Sequence, residues 1–342
     1  MKRLLCMIVP LIALFGINQF SAKAQSPLKV VATTSLIADV AKNIGGDLVD
    51  VTAIIPTETD VHSYIPAPQD IALLVDADVV LVNGLGMEEG LLEIIEENAP
   101  NAVIVSLGIN VLSSDHTHDD EATPEVPPHE ADYLGIYGAE IECDEHGDEK
   151  AEGTHTEDEE HAHGACDPHV WQNPLNVKIW AENIAYAFSE ADNAHVPAYA
   201  ANVILYNDQL TALDSEIKSL IDEIPAENRV IVTNHNFLAY FAAEYGFEVI
   251  GTVIPSASTM AQVSPQDLAG LIEVIQAEGV RAIFTEYSAN IDIAQTVADE
   301  LGYDIAVVSL YSDSLGAEDS EASTYLDFMR YNVNAIVTAL KG

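Results

Sequence analysis

Positive charge is what this chain has least of. Twelve Lys and Arg stand against 56 Asp and Glu, a formal net charge of −44. That excludes nucleic acid as a partner, because a phosphate backbone is held through clustered cations. Cysteine is nearly missing as well: there are three, Cys6, Cys143 and Cys166. Long apolar runs are confined to the N-terminus, and no segment after residue 24 is apolar for long enough to cross a bilayer. Two catalytic signatures are also lacking. There is no HExxH pattern and no G-x-S-x-G nucleophile turn, which weighs against a zinc hydrolase.

The first residues read as a leader. Lys2 and Arg3 precede the apolar run from Leu4 to Phe20, and Ala22-Lys23-Ala24 offers a small-x-small cleavage site before Gln25. Pro10, Gly16 and Asn18 break the run, which argues for a cleaved signal peptide over residues 1–24 rather than a membrane anchor. Cys6 lies inside the run and not at its end, so no lipid-anchoring cysteine is expected. The protein is expected outside the cytoplasm, periplasmic or otherwise exported. There Cys143 and Cys166 either form a disulfide or serve as two loose metal ligands.

What remains alternates short apolar runs with amphipathic stretches in two blocks. The first block reads Leu28–Ala32, Leu48–Ile55, Val79–Val82 and Ala102–Ser106 as strands. The second reads Arg229–Thr233, Glu248–Thr252, Ala282–Thr285 and Ile305–Ser309 as strands. Helices are expected in between, including Met87–Glu97, Phe237–Tyr245 and Ala322–Leu340. Such alternation predicts an α/β fold of two parallel-sheet lobes. Between the blocks, Pro197–Ile224 has Val203, Leu210, Leu213, Ile217, Leu220 and Ile221 on one face. It reads as a long, stiff backbone helix, where a flexible hinge would be rich in Gly or Ser. The expected division is an N-terminal lobe at 25–196, a linking helix at 197–224 and a C-terminal lobe at 225–342.

Residues 113–166 differ from both blocks. Nineteen acidic residues crowd positions 115–167 against Lys150 alone, so no apolar core can offset the cost of ordering them. A mostly mobile insertion is expected, with Tyr133–Ile141 the one patch suited to order. Seven of the eleven histidines, His116 to His163, lie in it. The tract reads as a loose metal collector, or as a solvated acidic spacer.

Three other histidines sit in separate compact motifs. They are Asp60-Val61-His62-Ser63-Tyr64, Asp167-Pro168-His169-Val170-Trp171-Gln172-Asn173-Pro174 and Thr233-Asn234-His235-Asn236-Phe237. A fourth candidate, Asp313, lies in Leu310-Tyr311-Ser312-Asp313-Ser314-Leu315. Singly, each histidine reads as a surface or turn residue, and Asp313 as a turn cap. Jointly, all four segments can lie at the carboxyl edges of the strands, where open α/β sheets bind ligands. Three imidazoles and one carboxylate make an N3O set suited to Zn2+. Glu286 either orients a ligand histidine or is a surface residue at a strand end. His195 has no motif around it and reads as a helix-terminus residue.

With these motifs in their order, the chain resembles the TroA-like or ZnuA-type solute-binding proteins, the zinc and manganese receptors of ABC uptake systems. Val30–Ser35, Asn83–Glu88, Phe284-Thr285-Glu286 and Tyr325–Asn332 carry the resemblance further. It covers the chain from about residue 28 to the end, apart from the insertion. The resemblance implies a two-lobed receptor, not an enzyme, that binds a transition-metal ion through His62, His169, His235 and Asp313. It implies delivery to the permease of an ABC transporter, with the receptor expected as a monomer. The fourth ligand varies in the family and is sometimes water, so Asp313 is the least fixed of the set. His235 in third place and the His-rich insertion tilt the expected ion toward Zn2+, since manganese members tend toward two His and two carboxylates. Mn2+ or iron remains the alternative ion. An adhesin on the same fold is the other open reading.

Overall fold

A computed structural model of the chain describes residues 26–88, 90–108, 167–254, 256, 258–288 and 291–342. The expected leader, the acidic insertion and the Cys143–Cys166 pair lie outside the described residues. The first lobe runs β1 (Leu28–Ala32), α1 (Ser35–Gly45), β2 (Val49–Ala53), α2 (Pro68–Val75), β3 (Val79–Val82), α3 (Gly90–Asn98) and β4 (Val103–Ser106). Two helices follow, α4 (Pro174–Ala191) and α5 (Val196–Ile221). The second lobe runs β5 (Val230–Thr233), α6 (Ala239–Tyr245), β6 (Glu248–Thr252), α7 (Pro265–Glu278), β7 (Ala282–Glu286), α8 (Asp292–Glu300), β8 (Ala306–Leu310) and α9 (Tyr325–Leu340).

Each sheet is parallel and four-stranded, in the orders β2-β1-β3-β4 and β6-β5-β7-β8. The central strands are apolar without alternation, as Val79-Val80-Leu81-Val82 shows, because helices cover both faces of a parallel sheet. In both sheets the chain leaves the first strand toward one edge and returns to the other side of it. That creates a topological switch point at β1/β3 and another at β5/β7, the crevices where such sheets hold ligands.

Local chemistry sets the helix starts. Thr34 caps α1 by accepting the Ile37 N–H, Asn173 caps α4 through the Leu175 N–H ahead of Pro174, and Ser264 with Asp267 forms a capping box on α7. Three starts come later than the sequence pattern indicates. Helix α3 begins at Gly90 rather than Met87, because the Glu88 carboxylate folds back to accept the Asn83 and Gly84 N–H groups at 2.6 and 2.9 Å. Gly84 takes φ 79°, and a Cβ there would collide with Ser106. Helix α6 begins at Ala239 because the Asn236 N–H is drawn to the Ser256 carbonyl. Helix α9 begins at Tyr325, where Thr324 accepts the Asp327 N–H.

The long helix α5 has 26 residues, about 39 Å at 1.5 Å per residue. It ends three residues short of Ile224, where Arg229 donates to the Ile221 and Ile224 carbonyls. It packs on α4 and α1 and also on α9, which returns from the second lobe. One continuous core therefore runs from Val30 and Val80 through Trp180, Phe188 and Leu213 to Phe328 and Ile336. A smaller cluster around Val232, Ile275, Ile283 and Val297 fills the second lobe alone. Shared packing of this kind makes the lobes resist large hinge motion. Among the described residues no helix is long and apolar enough to cross a membrane.

Candidate metal centre

The four residues singled out in the sequence meet at the carboxyl edges of the two sheets. His62 comes from the loop after β2 and His169 from the segment entering a short 3-10 turn, Val170–Gln172. His235 follows β5 and Asp313 follows β8. One ligand atom from each lies within 4.8 Å of all the others, and all four side chains are buried. The His169 Nε2 stands 3.1 Å from the His235 Nε2 and 3.4 Å from Asp313 Oδ1. The His62 Nε2 is 3.9 Å from Asp313 Oδ2.

Two of the three imidazoles are aimed by a carboxylate. Asp167 Oδ1 accepts the His169 backbone N–H at 3.0 Å and lies 2.7 Å from its ring Nδ1. Glu286 Oε1 lies 2.7 Å from the His235 Nδ1. A carboxylate accepts only, so each Nδ1 carries the proton and each Nε2 lone pair turns inward. His62 is held through its backbone, whose N–H donates to Asp60 Oδ1 at 3.0 Å. The same Asp-x-His spacing thus serves His62 and His169, a repeated signal that identifies Asp60 and Asp167 as positioning residues.

Glu286 is 1% exposed, which removes the surface reading of this residue. It also accepts the Asn234 side-chain N–H at 2.8 Å and the Ser312 O–H at 2.7 Å. The Ser312 carbonyl in turn receives the Trp171 Nε1–H at 2.8 Å and the Gln172 Nε2–H at 3.1 Å. Asp313 is therefore fixed by its neighbour, while its own two oxygens accept no hydrogen bond among the described residues. Asn83, at the start of the Asn83–Glu88 motif, donates its Nδ2–H to the Pro168 carbonyl at 3.0 Å. It steadies the residue before His169. His195 stands at the start of α5 with its Nδ1 2.5 Å from Asp192, outside the cluster.

Burial dominates the electrostatics. It pushes the His62 imidazole down to about 3, helped by His169 and His235. It pushes the Asp313 carboxyl up to about 6, with Glu286 and Asp60 adding to the rise and His169 and His235 opposing it. Burial alone would lower His235 and raise Glu286. The hydrogen bond and charge between them outweigh it, so His235 is raised and Glu286 falls to about 2. Two inward Nε2 lone pairs, a third imidazole and a carboxylate without donors leave a buried site short of positive charge. A cation is what this donor set can satisfy.

The sequence as a whole matches a known family. A profile described as "ZnuA: Zinc-uptake complex component A periplasmic" aligns with residues 30–339. The chain belongs to this family of metal-binding solute receptors. Its members are substrate-binding proteins of ABC transporters and not enzymes. A relative from Halalkalibacterium halodurans, the manganese-binding lipoprotein MntA, is 31% identical over 314 residues, covering 92% of this chain and 88% of its own. The metal ABC transporter substrate-binding lipoprotein SsaB of Streptococcus sanguinis is 31% identical over 325 residues, 94% of this chain and 93% of its own. Among solved structures, the periplasmic zinc binding protein TroA from Treponema pallidum superposes with TM-score 0.73 at 24% identity, covering 92% and 99% of the two chains. That likeness concerns the two-lobed fold alone.

Proposed function

We propose that this receptor captures one Zn2+ ion between its lobes through His62, His169, His235 and Asp313 and delivers it to a membrane permease for uptake. The observation that carries the reading is the buried convergence of four donor atoms within 4.8 Å, with two imidazoles already oriented by carboxylates. Three neutral nitrogens and one oxygen suit Zn2+, whose Zn–N bonds are near ~2.0–2.1 Å. Manganese is the second reading, favoured by the names of relatives such as the Halalkalibacterium halodurans protein. A harder, oxygen-richer set would serve Mn2+ better, and here one donor in four is oxygen. The deciding experiment is calorimetric competition between Zn2+ and Mn2+ on metal-stripped protein. Tight Zn2+ binding that Mn2+ cannot displace supports zinc, whereas preferential Mn2+ retention reverses the assignment.

The receptor works as a monomer outside the cytoplasm. The Halalkalibacterium halodurans and Streptococcus sanguinis relatives are named lipoproteins, yet in this chain the apolar run ends at Phe20 without a cysteine, and Cys143 is the first after Cys6. We infer cleavage after Ala24 without lipidation. The intact mass of the exported protein tests it, since an acylated N-terminus would be heavier by the lipid.

A further inference from the structure

The ligand side chains are sealed from solvent, so an ion enters or leaves only when some part of the rim moves. Two rims can be compared. On one, the loop between β8 and α9 is tied into the first lobe through main-chain groups. The Glu58 N–H donates to the Leu315 carbonyl at 3.0 Å, the Leu315 N–H to Ser35 Oγ at 2.9 Å, and the Tyr325 N–H to Asp39 at 3.0 Å. Behind that rim lies the shared core of α1, α5 and α9. On the other rim, the β2–α2 loop of the first lobe faces the β6–α7 loop of the second. These loops are architectural equivalents, each following the edge strand β2 or β6 of its sheet. They are joined by a side-chain bond, in which the Thr259 O–H donates to Asp60 Oδ2 at 2.8 Å.

Two large apolar side chains near this bond, among the described residues, point to solvent. Ile65 beside the first loop is 85% exposed and Met260 next to Thr259 is 62% exposed, so neither packs across the gap. Asp60 is also the residue whose Oδ1 holds the His62 N–H and whose Oδ2 accepts the Ser63 O–H at 3.0 Å. The Thr259 bond therefore ends on the carboxylate that shapes the His62 turn. The geometry points to Thr259 as a latch: its bond to Asp60 closes the β2–α2/β6–α7 rim over His62 and sets the rate at which the metal ion passes. This rests on the reading of His62 as a ligand. Because the bond joins two protein side chains and not the ion, breaking it speeds passage in both directions. A hydrogen bond to a carboxylate is among the stronger ones.

The test is stopped-flow metal exchange on the full chain. Zn2+ release is read by chelator capture and Zn2+ uptake by mixing with stripped protein. Thr259→Val keeps the shape and removes the donor. Release and uptake should both accelerate by roughly tenfold, with Kd within about threefold of the parent, and Thr259→Ser should behave like the parent. Rates within about twofold of the parent in Thr259→Val overturn the latch. So does a rise in Kd without faster uptake, which would make Thr259 a prop for the site rather than a gate. Failure of the ligand reading shows separately, as unchanged Zn2+ affinity in His62→Ala. If that variant loses the ion while Thr259→Val exchanges like the parent, only the latch is wrong.

Discussion

The two lobes aim their candidate ligands in different ways. In the first, His62 and His169 are each held by an aspartate two residues earlier, Asp60 and Asp167. In the second, His235 is held by Glu286, 51 residues later and one strand away, and Asp313 is placed by its neighbour Ser312, which donates to that same Glu286. Local turns make the first pair, and the register of β5 against β7 makes the second. A turn can form before the sheet does, but a strand-borne carboxylate arrives only with the finished lobe. The first-lobe ligands should therefore tolerate perturbation of the rest of the molecule better than the second-lobe ligands.

The coarsest way to break this comparison is to remove a ligand from each side. His169→Ala and His235→Ala should each lower Zn2+ affinity by about a thousandfold or more, measured by competition with a chromophoric chelator. Tight binding that survives both changes would sink the ligand assignment. One step out, Glu286→Gln should cost about 10–100-fold in affinity and Asp167→Asn less. Glu286 serves Asn234, His235 and Ser312 together, whereas Asp167 serves His169. Equal losses would erase the proposed difference between the lobes.

Protons compete with the ion for the same donors, and the sign follows from the shifts. Asp313, raised to about 6, and His235, also raised, must be deprotonated to bind. Affinity is therefore complete above those values and lost as pH falls through them, by about tenfold per pH unit for each group that must give up a proton. His62, near 3, is already neutral and adds nothing in that window. Isothermal titration between pH 5 and 8 checks this, and a flat profile would contradict it.

The smallest expected effect concerns stability. A carboxyl whose folded value rises from 3.8 to about 6 contributes stability below 3.8 that is lost as pH rises through 6. At neutral pH, Asp313 thus strains the metal-free protein. Asp313→Asn should raise its melting temperature by a few degrees, roughly 1–3 kcal/mol, while weakening metal binding. A lower melting temperature at pH 7.5 would show that Asp313 is better satisfied than its unbonded oxygens indicate.

Much of this was legible in the chain itself. Short apolar-rich runs marked all eight strands to within a residue or two; the central strands β3 and β7 are buried throughout, while edge strand β2 exposes Asp50 and Thr52 between its valines. The late starts of α3, α6 and α9 were not visible, since the Glu88 carboxylate, the Ser256 carbonyl and the Thr324 hydroxyl redirect backbone that helical pattern alone would continue. Glu286 stayed open for a similar reason: a glutamate at a strand end reads the same whether that end faces water or a ligand.

The sequence by itself determined the donor chemistry and the family. Imidazole and carboxylate are properties of single residues, and Asp-x-His spacing is a property of a short turn. Only the tertiary structure decided that His62, His169, His235 and Asp313 share one buried cluster, that Glu286 turns the His235 Nε2 inward, and that Thr259 bridges to Asp60. Convergence, burial and protonation depend on what neighbouring strands and the opposite lobe bring within a few ångströms, and no local stretch of chain encodes that distance.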